Sequence, residues 1–133
     1  MPENVVYSIL MERCRRKREP IPYESFVRAL EDELALSAEF DLPLTLLVVR
    51  AEEDLDSETT GRLLGVFRTA EFVTLPSPSE LAVILPNTDP DEARAVEGRV
   101  RDVLPDAGVG LATREPDEKA SDLLRRARGA REP

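Results

Sequence analysis

RTAEFVTLPSPSELAVILP, residues Arg68–Pro86, reads as two short strands and the tight turn between them. Glu71–Leu75 is β-branched and aromatic in character, with Phe72, Val73 and Leu75 apolar. Pro76-Ser77-Pro78-Ser79 is turn chemistry, because proline fixes φ and serine can bond its own backbone. Two prolines in four residues do not suit a hydrogen-bonded ladder, so they mark the hairpin tip. Leu81–Leu85, LAVIL, is a continuous apolar run. It predicts a central strand covered on at least one face and flanked by partner strands.

The flanking sequence supplies the partners. Upstream, Leu44–Val49 predicts a second buried strand. Glu24–Phe40 predicts an amphipathic helix with Phe26, Val27, Leu30, Leu34 and Ala38 on one face and Glu31, Asp32 and Glu39 outward. Ser57–Phe67 predicts a helix with Leu63, Leu64 and Phe67 inward. Downstream, Asp89-Pro90-Asp91-Glu92 is a helix start: a capping Asp, Pro at the first helical position and acids in the first turn. Ala93, Val96, Val100 and Val103 form that helix's apolar face. Ala107–Thr113 predicts a short strand, and Glu115–Ala130 a last helix with Pro116 near its first position and Ala120, Leu123, Leu124 and Ala127 inward. Before all of these, Asn4–Arg18 predicts a helix with an apolar stripe at Val5, Val6, Ile9 and Leu10, joined by a stiff extended linker, Pro20-Ile21-Pro22. The order gives an α+β fold with a ferredoxin-like βαββαβ core, a mostly antiparallel sheet, and extra N-terminal and C-terminal helices. The expected division is residues 1–19 as an N-terminal helix with the basic cluster and residues 20–133 as the domain proper.

Composition narrows the chemistry. A net charge of −9 over 133 residues argues against general nucleic-acid binding, because phosphates are repelled. There is no His, so the commonest neutral-pH acid/base and the commonest metal ligand are both absent. The single Cys14 forms no internal disulfide and fits a reducing cytoplasm. No apolar run reaches the ~18 residues of a membrane span. MPENVVYSIL has no positive region ahead of its short apolar part, so no secretory signal is expected. Against the acidic background, Arg13, Arg15, Arg16, Lys17 and Arg18 stand out. The plainer reading is a solvated helix end whose cations favour the C-terminal dipole. The sharper one is a docking site for an acidic partner or a phosphate-bearing ligand.

The hairpin also resembles the signature region of GGDEF domains, the catalytic domains of diguanylate cyclases. That pattern is RxxD, five residues, GGDEF, then an apolar strand ending in LP. Here the same spacing reads Arg68-Thr69-Ala70-Glu71, five residues, Ser77-Pro78-Ser79-Glu80-Leu81, then AVILP. PYESFVRALEDEL is similar to the family's first helix, LPLTLLVV to its first strand, GVGLA to its SxGxA strand and SDLLRRARGA to its closing helix. The resemblance implies a nucleotide-cyclase palm-like fold and a degenerate site. The metal-binding Asp that follows the first strand is replaced by Arg50, and a cation cannot stand in for a hard oxygen ligand. The Gly pair is Ser77-Pro78 and the third signature position is Ser79, leaving only Glu80. No FKxxND nucleotide-binding motif lies in the shortened segment before the hairpin. The resemblance further implies an inhibitory-type cyclic di-GMP site at Arg68 and Glu71, against the plainer reading of a strand-edge ion pair.

The expectation is therefore a non-catalytic regulatory module of bacterial signalling with no catalytic residue, metal or cofactor. It would bind another signalling protein through the emptied hairpin face or the N-terminal helix, which could also dimerise the chain. The alternative is a receptor for cyclic di-GMP or another guanine nucleotide through Arg68 and Glu71.

Overall fold

The computed structural model describes residues 20–67 and 72–129. The expected Asn4–Arg18 helix, the Arg13–Arg18 cluster, the Arg68/Glu71 pair and the tail Arg131–Pro133 lie outside the described residues. The elements run α1 (Tyr23–Glu39), β1 (Leu44–Arg50), α2 (Ser57–Val66), β2 (Phe72–Ser77), β3 (Glu80–Pro86), α3 (Pro90–Val103), β4 (Gly108–Thr113) and α4 (Ala120–Gly129). The four strands form one antiparallel sheet in the order β2-β3-β1-β4, as a βαββαβ core requires. Among the described residues no helix is long and apolar enough to cross a membrane.

The central strands are buried on both faces, which is why their sequences are continuous rather than alternating apolar runs. Leu44, Leu46 and Val48 of β1 and Ala82 and Ile84 of β3 point into one core, with Phe26, Leu30 and Leu34 of α1 and Leu123, Leu124 and Ala127 of α4. Leu47 and Val49 of β1 and Leu81, Val83 and Leu85 of β3 point into the other, with Leu63 and Phe67 at α2 and Ala93 and Val100 of α3. Side chains alternate across a strand, so one pair of strands feeds both helix layers. Thr45 is the buried polar residue of β1. Its hydroxyl donates to the Thr88 carbonyl at 2.8 Å and lies 2.8 Å from the Thr113 hydroxyl, which is left to donate to it.

Local chemistry sets the ends. Asp89 and Glu92 make a reciprocal capping box on α3, and Asp56 caps α2 by accepting from Thr59 N–H at 2.7 Å. That hydrogen bond holds the Asp56 carboxyl below its usual range. The linker residue Ile21 is more than a spacer. Its N–H donates to Val73 O at 2.8 Å, and Thr74 Oγ1 donates to Ile21 O at 2.7 Å, forming a parallel bridge on the outer edge of β2.

Four expectations are corrected. The first strand of the hairpin runs to Ser77, and the tip is Pro78-Ser79 alone. Pro76 sits within β2, because the register shifts between Thr74 and Ser77 on an edge strand and no ladder bond is lost. On α1, Ser37 rather than Ala38 faces inward. Its hydroxyl is taken up by Leu42 O and by Arg114, whose guanidinium also reaches Ser37 O at 3.0 Å and Leu42 O at 3.1 Å. Arg114 thus caps the carbonyl end of α1 from the far end of β4. Lastly, α4 begins at Ala120 and not at Glu115, because Asp117 takes a left-handed φ of 61° that a helix cannot contain.

The segment before α4 is held by Glu118, whose buried carboxylate accepts two hydrogen bonds of 2.7 Å from Arg126. Those bonds, with a smaller contribution from Glu115 N–H, hold the Glu118 carboxyl below its usual range against the opposing effect of burial. A depressed folded-state value contributes stability that is complete above the unfolded value and is lost as pH falls through the folded one. Glu118→Gln is expected to lower Tm at pH 7 by several degrees, corresponding to about 1 kcal/mol. The difference between the two melts should begin to shrink as pH falls through about 4, the ordinary carboxylate range, and close only below the depressed folded-state value. A second variant tests the central strand. Ala82 is 1% exposed, and Ala82→Asp buries an unpaired carboxylate worth several kcal/mol against a total stability of ~5–15. Circular dichroism is expected to show that variant unfolded at room temperature.

Candidate functional site

The β2–β3 hairpin tip is pinned against the loop that leaves β1. Ala51 N–H donates to Ser79 O and Leu55 N–H donates to Pro78 O, both at 2.8 Å. The tip therefore turns carbonyls, not amides, toward this loop, and Pro78 has no N–H to add. A triphosphate cradle needs the reverse polarity: converging N–H donors on a backbone stripped of side chains. Arg50 ends β1 with an exposed side chain, its Cα opposite Glu80 on one side and Gly108 on the other.

Glu80, the acid that the resemblance aligns with the signature, is turned into the protein. Its side chain is 6% exposed, and Oε1 lies 3.2 Å from Arg128 Nη2 at the end of α4. Arg128 in turn stands over the ring of Tyr23, 5.9 Å from its centroid, at the start of α1. Glu80 shares its strand face with Ala82 and Ile84, so its carboxylate serves the α1/α4 side of the sheet. An ion pair under an aromatic ring joins the hairpin to both helices of that layer. Leu81, the last signature position, is fully buried on the opposite face.

A cleft of about 260 Å³ lies beside the pinned loop, between residues 51–56 and the turn Leu104–Ala107. Glu52, Glu53, Asp54, Asp56 and Asp106 line it. Such a wall repels a nucleotide triphosphate unless metal ions intervene. Among the described residues no group of three or more carboxylate or thiol ligands is arranged to hold a metal ion.

Of the residues singled out from sequence, the structure brings Ser77, Pro78, Ser79 and Glu80 together at one turn and sends Leu81 to the core. Sequence reasoning did not find Arg128. It lies one position past the inward Ala127, where a cation near a helix C-terminus has an ordinary explanation, and nothing local connects it to Glu80 across 48 residues.

No family model matches the chain, and no curated protein matches it in sequence. Solved structures do match in fold. The GGDEF domain of DgcB from Caulobacter crescentus, solved in complex with c-di-GMP, superposes with a TM-score of 0.65 at 18% identity. The match covers 81% of this chain and 78% of that one. The active GGEEF domain of a diguanylate cyclase from Vibrio cholerae gives 0.67 at 14% identity, over 80% and 85% of the two chains. Diguanylate cyclase SiaD from Pseudomonas aeruginosa, solved with its activator SiaC, gives 0.69 at 16% identity, over 98% of this chain and 63% of that one. The chain has the fold of a GGDEF-like domain.

Proposed function

We propose that this chain is a non-catalytic GGDEF-like module that acts in signalling by binding another protein. The observation that carries the reading is the pinned hairpin tip. Both carbonyls of Pro78-Ser79 are spent on the loop after β1, Pro78 lacks an N–H, and the one retained acid is engaged with Arg128. Two-metal nucleotidyl transfer needs carboxylates gathered around two metal ions and a turn that admits phosphate. Arg50 stands where the first of those carboxylates would be, and the acidic cleft next to the tip opposes an anionic substrate. The same face suits a protein partner with basic residues, for which the acids become an attraction. SiaD, a GGDEF protein of similar fold, was solved with a protein activator, which supports a protein partner as a mode of control.

A second reading, a receptor for cyclic di-GMP at Arg68 and Glu71, draws support from DgcB, whose GGDEF domain was solved with that ligand. It is separable by experiment. Cyclic di-GMP at one hundred times its Kd would stabilise the folded state by ~2.7 kcal/mol, and Arg68→Ala would abolish the shift. An unchanged melting curve at millimolar ligand leaves the protein-binding reading standing alone.

Incubation of the purified chain with GTP and Mg²⁺ is expected to yield no cyclic di-GMP by chromatography. Turnover that Glu80→Gln abolishes would overturn the non-catalytic reading. Glu80 is instead expected to matter for stability. Arg128→Ala should cost about 1–3 kcal/mol in urea unfolding, because it removes a cationic partner from a buried carboxylate, while adding Glu80→Gln should recover part of the loss. Strict additivity of the two substitutions would show that the pair is not coupled.

A further inference from the structure

The two edges of the sheet are treated differently. On the β2 edge, Ile21 bridges to Thr74, and Pro76 with its register shift blunts the rest. The β4 edge, Gly108–Thr113, has neither proline nor charge nor bulge. Its outward groups can be identified. Arg114 N–H donates to Leu44 O, so Gly108, Gly110 and Ala112 direct their N–H and C=O toward β1. Alternation in an antiparallel ladder turns those of Val109, Leu111 and Thr113 outward. Thr113 O accepts from Arg126 Nη2 at 2.6 Å, as that alternation demands. Among the described residues, no bond reaches the outward N–H and C=O of Val109 and Leu111.

We propose that β4 pairs edge to edge, antiparallel, with β4 of a second copy of this chain, about a two-fold axis at Gly110. In that register Val109 faces the second copy's Leu111, and Leu111 faces its Val109. The four open backbone groups on each edge then satisfy one another with four hydrogen bonds. Gly110 meets Gly110 at the closely spaced, non-hydrogen-bonded position, where the absence of a Cβ permits approach. On the same face Gly108 meets Ala112, again without bulk. On the other face Val109 and Leu111, both half-buried in the monomer, complete apolar cross-strand pairs.

Charge favours the same occupant. Pro90, Arg94, Leu111, Ala112, Thr113 and Arg126 line a groove of about 290 Å³ at the exit end of β4. Exposed Asp106 stands two residues before the entry end. Antiparallel pairing carries the second copy's Asp106 to this groove, beside Arg94 and Arg126, and does so twice by symmetry. Among the described residues Arg94 otherwise holds the surface pair with Asp91 at 2.7 Å, and Arg126 is shared with Glu118 and Glu115. The surface involved is small, so the dimer is weak, with a Kd on the order of 10–100 µM. The inference is independent of what the hairpin face binds.

Sedimentation equilibrium of the full chain across this concentration range tests the proposal. The expected result is a concentration-dependent dimer, with amide exchange at Val109 and Leu111 slowing as dimer forms. Leu111→Pro removes an outward N–H without touching the β1 ladder, and should weaken association about tenfold or more. Should that variant unfold, the charges decide. Arg94→Asp and Asp106→Arg should each weaken the dimer severalfold, and combining them in one chain should restore it. A monomer throughout, a dimer indifferent to Leu111→Pro, or failure of the combined reversal to restore association would each overturn the proposal. A dimer held by the N-terminal segment would show itself as that indifference.

Discussion

β1 and β3 are apolar on both sides, and most of the architecture follows from that constraint. A strand with one wet face can rest on a single layer of helices, whereas these two must be covered twice. The chain meets the demand with two helices on each side, and the alternation of side chains along Leu44–Val49 and Leu81–Leu85 divides the core between them. Because both central strands are committed in this way, a slip of one residue would exchange every contact on both faces. The register of the hairpin is therefore fixed from within, and what stands at its tip is positioned by the core.

That rigidity bears on what the tip can do. A GGDEF-like frame places the turn between β2 and β3 beside the loop leaving β1, and here the two are stitched together by backbone hydrogen bonds from Ala51 and Leu55. The side chains at these positions set the polarity further. Proline withdraws a donor, Arg50 brings a positive charge to the end of β1, and Glu80 is drawn under Arg128 and Tyr23. The frame thus carries at this end a backbone that presents carbonyls, a cation at Arg50 and an acid turned inward, and these are the features on which the proposed reading rests.

The strands and the inward faces of α2, α3 and α4 were legible because apolar periodicity is a local signal: LAVIL, LTLLVV and the Asp89-Pro90-Asp91-Glu92 start each carry their own explanation within a few residues. What was illegible depended on distant partners. Ser37 is buried because Arg114 reaches it across 77 residues, and a neighbouring Ala38 looked like the better core residue. The start of α4 was misplaced because Pro116 suggested a first turn, while the left-handed Asp117 and the Glu118–Arg126 pair delay the helix. At the site, the residue types at Arg50 and Ser77–Ser79 were readable as chemistry. The destination of Glu80 was not, since a retained acid in a signature looks the same whether it faces a ligand or a helix.

The bridge from Ile21 to β2 gives the domain a fixed point of entry. Chain arriving from upstream reaches α1 only after being clamped at Val73 and Thr74 of β2. Tension or torsion applied to the preceding segment is thus delivered first to β2, along the strand, and loads its hydrogen bonds in parallel instead of peeling them one at a time. The junction works as a strain relief: a pull on the linker is borne by β2 while the two bonds hold, and it reaches α1 only when it is strong enough to break both.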